Sequence, residues 1–365
     1  MVRVLTRIAC AVCLGIVLGS FGFVVASSFA PHPTEVLVWQ PAYEEVKETP
    51  GTVTGSGAVD TLTVSGTRLL FVGDIMLDRN VATRSRAAGR LSYPFERLPS
   101  GWFASHDLAI ANLEGPVTDQ RRPPEKSIDF QFDPAVIPIL KAQGIDAVSQ
   151  ANNHALDQGR IGSDDSRTRL LAAGFLTFGD QVRDDRIALA TTTVNGVRLA
   201  FVGFNTTDNP LDREAASTTL ALARQNADQV IVFMHWGSEY KDRPDPSTIE
   251  TAHWLIDHGT DLVIGAHPHW VQGFSVYKGK PIAWSLGNFI FDQDWSAETR
   301  QGLALAVTVK GDAIELESIP LQIDVSQPRL VEGEIKVSRL ERLAEISDEP
   351  LREQVRAGTI RLEIP

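Results

Sequence analysis

His267 and His269 follow an apolar stretch, residues 261–265, with the composition of a buried strand. Side chains two apart in an extended chain point the same way, so the pair can offer two imidazoles to one pocket. Open α/β sheets bind ligands at strand carboxyl ends, where this pair would stand. Taken alone, the pair fits two solvated loop histidines equally well. Other polar residues, however, stand in the same relation to other apolar runs. Asp74 closes the run 69–74, Glu114 closes 107–114, Asn153 and His154 close 147–154, and His235 lies in 230–237. Apolar runs halted abruptly by Gly, Asp, Asn or His have the pattern of central strands buried on both faces. Five strands delivering acids, amides and imidazoles to one end point to one shared site.

The residue types suit divalent metal ions, two of them, drawn from Mn, Zn or Fe, because carboxylates and imidazoles bind such ions and a carboxylate can bridge a pair. Two ions about 3.5 to 4 Å apart acidify a bound water and clamp the attacking and leaving oxygens. Hydrolysis or transfer at a phosphoryl or acyl centre is the natural use. Asn153 can complete a ligand shell without adding charge, and His154 beside it is free to act as a general acid near neutral pH. Asp157, three residues on, suits either orienting His154 or starting a helix. Arg79 can hold a substrate carboxylate or phosphate in a fork.

Six blocks carry a family resemblance: GlyAspIleMetLeu at 73–77 with Arg79, AlaAsnLeuGluGly at 111–115, AlaAsnAsnHisAlaLeuAspGlnGly at 151–159, HisTrpGlySerGluTyr at 235–240, GlyAlaHisProHis at 265–269 and SerLeuGlyAsnPhe at 285–289. In this order, within residues 67–325, the set resembles the CapA proteins of poly-γ-glutamate capsule synthesis. That family is similar in turn to the calcineurin-like metallophosphoesterases. The resemblance implies a four-layer α/β/β/α sandwich around a two-metal centre. By motif, it implies Asp74 and His269 on one metal, Asn153, His235 and His267 on the other, Glu114 in the bridging position and His154 as the catalytic histidine. One departure stands out. The superfamily's first block is AspxHis, and Met76 occupies the histidine position. A thioether is a poor ligand for such ions, so the first metal is expected to be weakly held or absent unless the longer Glu114 compensates.

Residues 8–30 carry no charge and follow Arg3 and Arg7, with Glu35, Glu44 and Glu45 beyond them. This run is long enough to cross a bilayer, and the positive-inside rule places the rest of the chain outside the cell membrane. Residues 1–30 are thus expected to be a transmembrane anchor. Cleavage near Ala26 or Ala30, giving a secreted protein, is the alternative. Cys10 and Cys13, the chain's two cysteines, lie inside this segment and read as small apolar residues of a membrane helix. The chain's net charge is −12, or −14 once the two arginines of residues 1–30 are set aside. That acidity argues against nucleic acid as a partner and confines contact with an anionic polymer to the metals and residues such as Arg79.

Residues 31–66, rich in Pro, Gly and Thr, read as a flexible stalk, in which the stretch 36–39 can alternatively dock on a partner. From residue 67 strand and helix patterns alternate, which favours the α/β class. Helices are expected near 133–143, 161–173, 220–227 and 248–258, and strands near 188–193, 197–204, 281–286 and 303–310. Residues 326–365 read as a charged extension with one short helix over 337–346. His106, His253 and His258 are expected on helix or loop surfaces, and Trp236 and Trp270 as either pocket walls or core.

The expected function is that of a membrane-anchored CapA-like protein in synthesis, export or attachment of poly-γ-glutamate or a related envelope polymer, working through a metal-dependent hydrolase-type site. Two alternatives remain open: a general extracytoplasmic metallophosphoesterase, or a non-catalytic subunit of a membrane polymer-synthesis complex. The partners expected are accordingly the membrane, other subunits of such a complex, and an anionic polymer or phosphoester substrate.

Overall fold

A computed structural model describes residues 66–179, 189–311 and 313–363. The anchor and stalk expected over 1–66 lie outside these residues except for Gly66. Among the described residues no helix is long and apolar enough to cross a membrane.

The chain lays down β1 (Thr67–Ile75), α1 (Arg79–Ala87), β2 (Leu108–Leu113), α2 (Val136–Gln143), β3 (Ala147–Ser149), α3 (Gly159–Ala172) and β4 (Leu176–Phe178). Strands β1, β2, β3 and β4 pair in parallel, in that order. A second sheet follows from β5 (Leu189–Val194), β6 (Val197–Asn205), α4 (Arg213–Asn226), β7 (Gln229–His235), α5 (Pro246–Asp257), β8 (Leu262–Ala266), β9 (Val271–Tyr277) and β10 (Lys280–Leu286). Its order is β5-β6-β7-β8-β10-β9, with β6, β7, β8 and β10 parallel. The chain then returns to the first sheet with β11 (Asn288–Ile290), β12 (Gln301–Lys310), β13 (Ala313–Asp324), β14 (Gln327–Leu330), α6 (Gly333–Glu345), α7 (Arg352–Arg356) and β15 (Thr359–Glu363). Strand β12 runs antiparallel to β1, and β13 pairs with β12, β14 and β15.

Three apolar clusters show how the layers stack. Phe71, Ile110 and Phe178 of the first sheet meet Phe201, Phe233 and Ile264 of the second, so the two sheets face each other across one core. Leu70, Val72 and Val148 on the outer face of the first sheet pack on Val81 of α1, Leu140 of α2 and Leu170 of α3. On the outer face of the second, Val202, Val232 and Val263 pack on Leu220 of α4 and Leu255 of α5. Strands buried on both faces cannot alternate apolar with polar residues, and this is why their sequences read as continuous apolar runs.

The expected α/β class is the one the chain adopts, with some elements reaching further than their apolar spacing suggests. Helix α4 begins at Arg213, well before 220, because the Asp212 carboxylate caps Glu214 N and Ala215 N while the first turns lie on the surface. The segment beyond residue 325 adds β14 and β15 to the first sheet, and Leu340, Leu343, Val355 and Ile360 to the core between the sheets.

Candidate metal centre

The carboxyl ends of strands from both sheets converge at one place. Asp74 lies at the end of β1, Glu114 one residue after β2, Asn153 and His154 shortly after β3, His235 at the end of β7, and His267 and His269 just after β8. The close approach depends on Gly73, where a Cβ would lie 1.9 Å from the Gly287 carbonyl oxygen. Asp74 N donates to that carbonyl at 3.1 Å, joining β1 to the turn that leaves the second sheet. The pairings of β1 with β2 and with β11 both shift register at Asp74, a bulge that aims its side chain.

Asp74 is fully buried and holds groups from both sheets. Its Oδ1 accepts from Asn112 Nδ2 at 2.7 Å, and its Oδ2 accepts from His267 N and lies near His269 Nδ1, each at 3.3 Å. Asn112 Nδ2 also lies 3.3 Å from His235 Nδ1. His235 Nε2 stands 2.9 Å from Asn153 Oδ1 and 3.1 Å from His267 Nδ1. His269 Nδ1 is 2.9 Å from Asn288 Oδ1, and its Nε2 is 4.0 Å from Glu114 Oε1.

This donor set fits a divalent metal. Asp74, Glu114 and His235, all buried, offer ligand atoms within 4.8 Å of one another. Both carboxylate oxygens of Glu114 are buried without a hydrogen-bond partner. Burial first, and then the Asp74 charge, raise the Glu114 pKa well above its ordinary value, which disfavours the bare carboxylate and favours a nearby cation or proton. Burial and the neighbouring imidazoles push His235 well below the usual histidine value and His267 to about 3. Neutral imidazole is the form that ligates metal.

His154 lies beside this set and is held differently. Its Nδ1 is 2.6 Å from Asp157 Oδ2, and its ring packs on Phe130 with centroids 4.0 Å apart. Asp157 is fixed in turn by Phe130 N at 2.8 Å and Lys126 Nζ at 2.9 Å. Such a carboxylate directs the imidazole's Nδ1 proton toward itself and leaves Nε2 for a proton transfer. Lys126 also donates to the Asn153 carbonyl. The Arg79 guanidinium stands 5.8 Å from the Phe130 ring centroid and pairs with Asp292 at 3.2 Å, so it reaches the edge of the site already partnered.

Met76 is not among the grouped candidate ligands. It is buried in the outer core of the first sheet, and its sulfur accepts from Asp78 N at 3.1 Å. Trp236 packs in the outer core of the second sheet, with Nε1 donating to Trp284 O at 3.1 Å. His253 and His258 stack on Tyr277 and Trp254 in the outer helical layer, and His106 precedes the amino end of β2, opposite Glu114.

Several residues of the arrangement escaped the sequence reading. Asn112 links Asp74 to His235, and Asn152 supports it by donating to Asn112 Oδ1 at 3.1 Å. Asn112 stands two residues before Glu114 near the end of a strand, a spacing that puts both side chains on one side and could have flagged it. Lys126 and Phe130 lie in a polar loop with no periodicity to mark them. Backbone conformation is a further marker. Of the non-glycine residues with positive φ, Arg79 (52°), Tyr240 (60°), His267 (93°) and His269 (58°) all belong to this region. Left-handed backbone of this kind is costly and gathers at functional sites.

The fold is thus a layered α/β sandwich whose strand ends bring acids, amides and imidazoles together in an arrangement that could hold a metal ion. Residues 68–293 match the family described as "Bacterial capsule synthesis protein PGA_cap", and the chain belongs to that family. It is 30% identical over 277 residues to the "PGA biosynthesis protein CapA" of Bacillus subtilis, covering 71% of this chain and 72% of that one. It is 29% identical to a "Probable polyglutamine synthesis accessory protein" of Mycobacterium tuberculosis, covering 67% and 75%. Among solved structures, a hypothetical protein from Thermus thermophilus superposes with a TM-score of 0.42 at 20% identity, over 72% of this chain and 96% of that one. Vacuolar protein sorting 29 from Cryptosporidium parvum gives 0.33 at 12% identity, over 73% and 96%.

Proposed function

We propose that this protein acts in the synthesis, export or attachment of poly-γ-glutamate or a related envelope polymer, as a metal-dependent hydrolase held at the outer face of the membrane by residues 1–30. The names of its CapA relatives supply the polymer. The single observation that carries the metal-dependent part is Glu114, a fully buried acid with two unpartnered oxygens among neutral imidazoles. Such an acid belongs beside a cation.

In this reading Asp74, Glu114 and His269 hold one ion and Asn153, His235 and His267 the other. Bound ions of this kind activate water and neutralise charge at a reacting phosphoryl or acyl centre. The chain's own part is to bind, orient and move protons. His154, held through Nδ1 by Asp157, delivers a proton from Nε2 to the leaving group, and Phe130 fixes the ring plane. Arg79 orients an anionic group of the substrate at the edge of the site.

The test is elemental analysis of the purified protein against a His267→Ala, His269→Ala double variant. About two equivalents of metal in the wild type, lost in the variant, support the reading, and no metal even after reconstitution overturns it. Hydrolysis of γ-glutamyl and phosphoester substrates, abolished by His154→Ala with metal retained, then separates an enzyme from a non-catalytic subunit.

A further inference from the structure

Outward from His269, three rings step from the interior to the solvent. The His269 ring is buried, the Tyr240 ring lies 6.1 Å from it and is half-buried, and Trp295 meets Tyr240 edge-on at 6.0 Å and 75°. Trp295 is 61% exposed, one of few large apolar side chains so exposed among the described residues.

An exposed tryptophan is ordinary when it hangs on a loose loop, but the three residues before this one are each tied to the body of the protein. Asp292 pairs with Arg79 and accepts from Asn80 N at 3.2 Å, and Asp294 pairs with Arg84 at 2.5 Å. Between them Gln293 accepts from Asn288 Nδ2 at 3.0 Å and donates to the Tyr240 hydroxyl at 3.3 Å. Asn288 is the residue that holds His269 Nδ1, so the loop bearing Trp295 is tied directly to the proposed metal ligand. Tyr240 is anchored as firmly. Its N donates to Pro268 O at 2.9 Å, within the loop between the two histidines, and its backbone is left-handed.

We infer that Tyr240 and Trp295 form a binding ledge for a flat, uncharged group of the substrate, and that this group is the amide plane of a polyamide chain. An indole face left open to water favours a planar partner, and an amide plane can stack on it while its N–H and C=O edges stay hydrated. The ledge adjoins Arg79, which can take a carboxylate from the same chain. A polymer that alternates amide planes with carboxylates matches both features. Long aliphatic chains offer no plane, and inorganic phosphate offers neither plane nor length. Since the polyamide follows from the polymer reading given above, the ledge rests on that reading.

The test is calorimetric titration of a γ-linked glutamate oligomer into the purified protein loaded with manganese. Trp295→Ala is expected to weaken binding about threefold to tenfold, the range of an aromatic stacking contact. Metal content and thermal midpoint should stay at wild-type values, and Trp295→Phe should restore affinity to within about twofold. Equal affinity of wild type and Trp295→Ala overturns the ledge and leaves the polymer reading standing. No binding by the wild type overturns the polymer reading and the ledge with it.

Discussion

The two halves of the donor set are built on opposite principles. On one side His235 Nε2 lies 2.9 Å from Asn153 Oδ1 and 3.1 Å from His267 Nδ1, and Asn112 meets His235 Nδ1, a network among neutral groups. On the other, Glu114 has no hydrogen-bond partner for either oxygen and sits near the Asp74 charge. A neutral network can be preorganised without an ion, whereas a buried acid pair needs a proton or a cation to be tolerated. If the proposed ions bind, the acid half gains the more from them.

The largest expected effect comes from Asp74, which serves both halves. Asp74→Ala should weaken metal binding by more than about 100-fold, beyond what loss of a supporting contact alone produces. Chelator competition measures this, and retention of tight binding would show that the halves are independent. Next is Glu114→Gln, which should lower metal content while raising the thermal midpoint of the metal-free protein by about 3 °C or more, because it removes the unpartnered acid. A fall in the metal-free midpoint would mean that Glu114 already has a partner. Asn112→Ala should cost about tenfold to 100-fold in metal affinity with full occupancy at saturation, since Asn112 orients ligands from both halves. The smallest effect belongs to Met76→Leu, which should leave metal affinity within about twofold and cost under about 1.5 kcal/mol of stability as a volume-conserving core change. A large loss of metal in that variant would return the thioether to the ligand set.

Met76 shows where sequence and structure part. The motif comparison reads it as a defect in the first ligand block, whereas in the structure it is a buried core residue whose sulfur already accepts a backbone N–H. The central strands were legible because burial on both faces leaves a continuous apolar signal, and Asp74, Glu114, His235, His267 and His269 were legible as abrupt stops to those runs. Helix α4 was only half legible, since the period is carried by Leu220 and Ala223 while its first turns face water. Strand β15 was not legible at all. It is short and half-exposed, and its partner β13 alternates buried with less buried residues. Lys126, Phe130 and Trp295 are placed by loops that carry no periodic signal.

The nesting of the sheets sets the order in which the molecule can come into being. The second sheet is one uninterrupted stretch of sequence, whereas the first joins β1 to β12, and through it to β13, across nearly the whole described chain. Pairing β1 with β12 closes a loop that contains the entire second sheet, the kind of contact that forms slowly and late. His235, His267 and His269 therefore belong to a contiguous unit, while Asp74 and Glu114 stand on a sheet that waits for the end of the chain. The candidate donors thus come from two units of the fold, and the β1–β12 pairing that completes the first sheet is the later of the two expected to form.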